Sequence, residues 1–99
     1  MKTNVTHLQL VEVLREARGF LARPDNDFTW SDWGSTADAL QEIDDIIARI
    51  ESGVLPARLD IEVLFAPTGP IQEVSLSSGW GKAFLGLAER FDAAMKIVV

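Results

Sequence analysis

The sequence predicts an α+β fold in which helices cover one face of an antiparallel β-hairpin. Apolar residues recur at helical spacing in two N-terminal segments and one C-terminal segment, and at a period of two in two short segments between them. Because helices and strands are segregated along the chain, the helices are expected on one side of the sheet. The 99 residues are enough for a single domain, residues 1–99.

The first element is a predicted helix over residues 6–22. Thr6, followed three residues later by Gln9, matches a capping box, and Pro24 is a good helix stop. A wide apolar stripe runs along it. Its members are Leu8, Leu10, Val11, Val13, Leu14, Ala17, Phe20 and Leu21.

The second helix is predicted between Ser35 and Gly53. Ser35 is a favoured N-cap residue, with Asp38 three positions further on. Gly53 is the expected left-handed residue at the C-terminal end, and Pro56 follows it. The apolar stripe consists of Leu40, Ile43, Ile46, Ile47 and Ile50.

Two strands follow, over residues 58–66 and 71–77. In the first, Leu59, Ile61, Val63 and Phe65 occupy alternate positions, which is typical of a strand with one buried face. Residues 67–70, "PTGP", supply turn residues between the strands. The pair is therefore predicted to form an antiparallel hairpin.

A last helix is predicted over residues 80–96. Two strands alone make a marginal sheet with open edges. A third strand at residues 28–30, a strand in the "IVV" tail at residues 97–99, or a second copy of the protein pairing edge to edge as a homodimer would complete it.

The net charge of −6 is concentrated in the middle of the chain. Residues 25–51 carry eight acidic side chains and one arginine, a net charge of −7. Such a field repels nucleic acid phosphates and attracts a basic partner protein. No apolar run is long enough to span a membrane and no signal peptide pattern is present, so a cytoplasmic protein is expected.

The segment "SLSSGWGKAF", residues 75–84, superficially resembles a phosphate-binding loop. A Walker A loop requires Gly-Lys-Ser/Thr, but Ala83 follows Gly81 and Lys82. The preferred interpretation is a tight glycine turn with Ser78 capping the following helix. A weaker alternative is an anion or small-molecule site formed by Ser77, Ser78 and Lys82.

No cofactor, metal site or catalytic residue is predicted. The chain lacks cysteine, and its single histidine, His7, has no plausible triad partners. Asp25, Asp27 and Thr29 resemble the start of a calcium loop, but the required glycine is replaced by Trp30. An Asx-rich turn is the expected structure there.

One row of charges lies opposite the isoleucines of the second helix, at Asp38, Glu42, Asp45 and Arg49. Charge opposite an apolar stripe usually marks a solvated helix face, so these carboxylates are not expected to act as acids or bases. Asp45 and Arg49 have the spacing of an i,i+4 ion pair.

The tryptophans are the least ordinary feature. Trp30 and Trp33 flank Asp32 in a loop, and Trp80 lies in the glycine turn. They either cover the edge of the core or form a contact site, since tryptophan is common at binding hot spots. The sequence thus predicts a non-catalytic protein-binding module that docks a basic partner through these four residues.

Two functions therefore stay open. Small inhibitory proteins, immunity proteins among them, share this size and charge, so an inhibitor or immunity-like role fits the preferred prediction. The alternative is a small-molecule or anion-binding module, with or without enzymatic activity, whose pocket lies near residues 77–82.

Overall fold

The computed structural model describes residues 5–98, except residues 30, 32, 55, 67 and 68, and every regular element within this part is a helix. The helices are α1 (Val5–Leu21), α2 (Thr36–Glu51), α3 (Arg58–Phe65), α4 (Pro70–Ser78) and α5 (Gly81–Val98). The predicted α+β class is therefore wrong, since the described residues contain no strand.

Helix α1 is the centre of the fold. It packs extensively against α5 on one side and α2 on the other, and also touches α4. Helix α4 connects α3 to α5 by packing against both. The apolar faces of all five helices, with Trp33 and Trp80, enclose one continuous core.

Three of the predicted elements are confirmed. The helix predicted over residues 6–22 is α1, and the one predicted over residues 80–96 is α5. Helix α2 begins after Ser35, whose Oγ accepts a hydrogen bond from the Asp38 backbone N–H over 3.3 Å. Gly53 follows it with φ 92°, the left-handed conformation expected of a C-terminal glycine.

The predicted hairpin is replaced by α3 and α4. In α3 the buried residues are Ile61, Leu64 and Phe65, at positions i, i+3 and i+4. The alternation pattern instead placed Leu59 and Val63 in the core, yet they are 74% and 49% exposed. The buried residues of this segment therefore follow helical spacing and not the alternation expected of a strand.

Helix α4 shows the same spacing. Its buried residues are Ile71, Val74 and Ser75, whereas Leu76 is 67% exposed. Pro70 occupies the first turn, where its missing N–H costs nothing, and Gly69 precedes it as N-cap. Gly79 ends the helix with φ 86°.

The proposed completions of the sheet have no basis in this fold. Phe28 and Thr29 lie in a non-helical loop outside any strand, and residues 97–98 continue α5. Trp30 and Val99 lie outside the described residues. Because the described chain has no sheet, it also offers no sheet edge for the predicted homodimer.

Candidate partner-binding cleft

A cleft of about 340 Å³ separates α2 from α3. The two helices are not among the pairs that pack closely against each other, so a groove remains between them. Both helices and the loop between them line it. The lining residues are Glu42, Asp45, Ile46, Arg49, Pro56, Asp60 and Val63.

Helix α2 carries acidic side chains on two sides, and the side facing α1 is neutralised. Asp44 Oδ1 accepts a hydrogen bond from Arg18 Nε over 2.5 Å, and Glu51 Oε2 accepts one from Arg15 Nη2 over 2.6 Å. The hydrogen bond from Arg18 lowers the pKa of Asp44. These carboxylates therefore serve to join α2 to α1.

The acidic residues on the other side of α2 face the cleft and have no such partner. Glu42 and Asp45 form no ion pair within the described residues, and neither does Asp60 on the opposite wall. All three are exposed, as the sequence predicted for the α2 pair. The predicted Asp45–Arg49 ion pair is also absent from the described contacts. Among the described residues that line the cleft, Arg49 is the single basic one.

Apolar surface lies between these charges. Ile46 and Pro56 are buried at the bottom, and the half-exposed Val63 forms part of the α3 wall. Leu59 lies one helical turn before Val63 and is the most exposed large apolar side chain among the described residues. The cleft therefore combines a small apolar floor with unpaired negative charge.

Two of the predicted tryptophans are core residues. Trp33 is 7% exposed, and its Nε1 donates a hydrogen bond to Glu42 Oε1 over 3.4 Å, beside the cleft. Trp80 is 5% exposed and lies at the start of α5. Trp30 and Asp32, the other two predicted contact residues, lie outside the described residues.

The three residues predicted for an anion or small-molecule site differ in their surroundings. Ser77 and Lys82 are exposed. Ser78 Oγ accepts a hydrogen bond from the Asp27 backbone N–H over 2.8 Å, which ties α4 to the loop after α1. The prediction that Ser78 caps the last helix is wrong, because Ser78 is the final residue of α4 and α5 begins at Gly81.

The segment that resembled a calcium loop forms a turn. Asp27 Oδ1 accepts a hydrogen bond from the Thr29 backbone N–H over 2.9 Å, the contact of an Asx turn. This hydrogen bonding to Thr29 lowers the pKa of Asp27. Within the described part of the chain, no three His, Asp or Glu side chains are grouped as metal ligands would be.

Sequence reasoning missed the α3 wall of the cleft. In the predicted strand Asp60 and Val63 would lie on opposite faces, whereas in a helix they lie three positions apart on one face. The signal that would have revealed this face was the i, i+3, i+4 spacing of Ile61, Leu64 and Phe65.

None of the helices in the described residues is both long enough and apolar enough to cross a membrane. Comparison with known proteins adds no further assignment, because no protein-family model, curated protein or solved structure matches this chain.

Proposed function

We propose that this protein is a non-catalytic binding module that docks a basic segment of a partner protein in the cleft between α2 and α3. The observation that carries the proposal is that some acidic side chains of α2 form ion pairs and others do not. Asp44 and Glu51 are paired with arginines of α1, while Glu42 and Asp45 face the cleft and form no ion pair with another described residue.

Carboxylates that line one cleft repel one another, and that repulsion is relieved when a cation binds between them. Asp60 adds a third negative charge from the facing wall. A lysine or arginine of the partner would gain charge-assisted hydrogen bonds there, and its aliphatic stem would cover the apolar floor.

Affinity for a basic probe tests this proposal. The probe is a 16-residue peptide of lysine, leucine and alanine, and its binding is measured by isothermal titration calorimetry at low and high salt. The cleft variant is Asp45→Asn/Asp60→Asn. The matched control, Asp25→Asn/Asp92→Asn, also removes two negative charges, but from exposed positions outside the cleft.

The cleft variant is expected to bind the peptide about tenfold more weakly, since each lost charge pair contributes roughly 0.5–1 kcal/mol. The control should retain nearly the wild-type affinity, and added salt should weaken binding to the wild-type protein. An equal loss in both variants would show only general attraction to an acidic protein and would overturn the proposal.

A further inference from the structure

We infer that the docked segment is a basic amphipathic helix, an inference that rests on the proposed function above. The shape of the cleft is the first reason. Its walls are α2 and α3, two helices without close mutual packing, so the groove between them runs along helical surfaces. A third helix packs against such surfaces by placing its side chains in their grooves.

Backbone hydrogen bonding is the second reason. An extended peptide that binds by strand addition gains affinity by pairing its main chain with an exposed strand edge. The walls of this cleft are helices, whose interior N–H and C=O groups already pair within each helix. An extended occupant would therefore find few main-chain partners there, whereas a helix satisfies its own backbone.

The spacing of the apolar side chains is the third reason. Leu59 and Val63 are exposed one turn apart on α3, Val63 among the residues that line the cleft and Leu59 outside them, while Ile46 is buried in the floor. Anchors that recur every turn match the i, i+3, i+4, i+7 stripe of an amphipathic helix. The occupant's apolar stripe would cover Leu59 and Val63, which are otherwise exposed to water.

The charged residues of α2 determine which side chains the docked helix needs on the side that faces α2. Glu42, Asp45 and Arg49 follow one another at intervals of three and four residues along one side of α2. They span about 10 Å at a rise of 1.5 Å per residue. The matching side of the occupant carries two basic residues and then one acidic residue, and the acidic residue pairs with Arg49.

Two peptides of identical composition separate a helical occupant from a basic segment of any shape. Each has 18 residues of leucine, lysine and alanine with one glutamate. In the first, leucine recurs at i, i+3, i+4 and i+7, with the glutamate aligned to Arg49. In the second, leucine and lysine alternate. Calorimetry gives the affinities, and far-ultraviolet circular dichroism gives the helix gained on binding.

The helical pattern is expected to bind at least about tenfold more tightly than the alternating one and to gain helix when bound. Leu59→Gln/Val63→Gln should remove most of that preference. Leu76→Gln/Leu85→Gln alters two exposed leucines outside the α2–α3 cleft and should leave the preference unchanged. The wild-type protein should prefer the helical peptide to one with lysine in place of the glutamate, and Arg49→Glu should reverse that preference.

The failures are distinguishable. If both peptides bind equally and Asp45→Asn/Asp60→Asn weakens both, the cleft docks basic segments but the inference of a helix is wrong. If neither peptide binds, the proposed function fails together with this inference. If Leu76→Gln/Leu85→Gln loses the preference for the helical peptide as completely as Leu59→Gln/Val63→Gln does, the α2–α3 cleft is not the site and the inference is overturned.

Discussion

Trp80 donates its indole hydrogen to Asn26 Oδ1 over 2.9 Å. The amide nitrogen of the same Asn26 donates to the backbone carbonyls of Phe20 and Leu21, over 2.7 and 2.9 Å. These carbonyls belong to the last turn of α1, beyond the reach of its own N–H groups, although Phe20 O also accepts the Arg23 backbone N–H over 3.3 Å. Asn26 thus caps α1 and holds the start of α5 against it, while the Trp80 ring stacks on Phe20 with centroids 4.9 Å apart.

Removing this side chain is expected to weaken the whole fold. Asn26→Ala loses three hydrogen bonds and removes the partner of the Leu21 carbonyl and of the Trp80 indole N–H, so the free energy of unfolding should fall by about 2–3 kcal/mol. Urea denaturation followed by circular dichroism measures the change. Gln41→Ala, at an exposed position of α2, should change stability by less than about 0.5 kcal/mol. Equal stability of the two variants would refute the capping role of Asn26.

Two leucines of α3 distinguish the helix from the hairpin that the sequence predicted. Leu64 is fully buried and Leu59 is exposed, the reverse of their expected positions in a strand. Leu64→Ala should lower the free energy of unfolding by about 2–5 kcal/mol, whereas Leu59→Ala should change it by less than about 0.5 kcal/mol. The chemical change is the same in both variants, so urea denaturation compares burial directly. A larger loss at Leu59 than at Leu64 would favour the hairpin.

The sequence failed at α3 and α4 for a definite physical reason. Each helix is only two to three turns long, and over so few residues an alternating pattern and a helical pattern share most of their apolar positions. Ile61 and Phe65 satisfy both patterns, and only the burial of Leu64 and the exposure of Leu59 and Val63 separate them. In α4 the buried position at i+4 is Ser75, whose polarity concealed the helical spacing.

The longer helices were predictable because their patterns continue over four or more turns. The charged side of α2 was predictable for the same reason, and Glu42, Asp45 and Arg49 are exposed as expected. The cleft itself was not predictable, because its second wall, Asp60 and Val63, depends on α3 being a helix. The burial of Trp80 depends on a partner 54 positions away, Asn26, which no local pattern indicates.

Two glycines in this fold should respond oppositely to alanine. Gly79 ends α4 with φ 86°, where a side chain is strained, so Gly79→Ala should lower the free energy of unfolding by about 1–2 kcal/mol. Gly86 lies in the interior of α5, and an added Cβ there meets nothing within 4 Å. Gly86→Ala should therefore raise stability by about 0.5–1 kcal/mol, because it reduces the freedom of the unfolded chain. Thermal and urea denaturation test both, and a stabilising Gly79→Ala would contradict the left-handed turn.

Stability should also depend on pH through the ion pair that joins α1 to α5. Arg90 Nη2 donates a hydrogen bond to Glu16 Oε2, and this bond lowers the pKa of Glu16. Because the pKa in the folded protein lies below the unfolded value of about 4.3, the pair stabilises the fold above that pH. Its contribution is lost as the pH falls through the lowered pKa of the folded state.

Glu16→Gln is therefore expected to be less stable than the wild-type protein at pH 7, and the difference should disappear once the pH has fallen below the lowered pKa of Glu16, where Glu16 is protonated as well. The difference at pH 7 should not exceed about 1 kcal/mol, since both side chains are about half exposed and solvent screens the pair. Urea denaturation of both proteins across this pH range gives the curve. Arg90→Gln serves as the reciprocal control and should show the same loss at pH 7. A difference between Glu16→Gln and wild type that stayed constant down to pH 2 would mean that Glu16 stabilises the helix pair by packing and not by its charge.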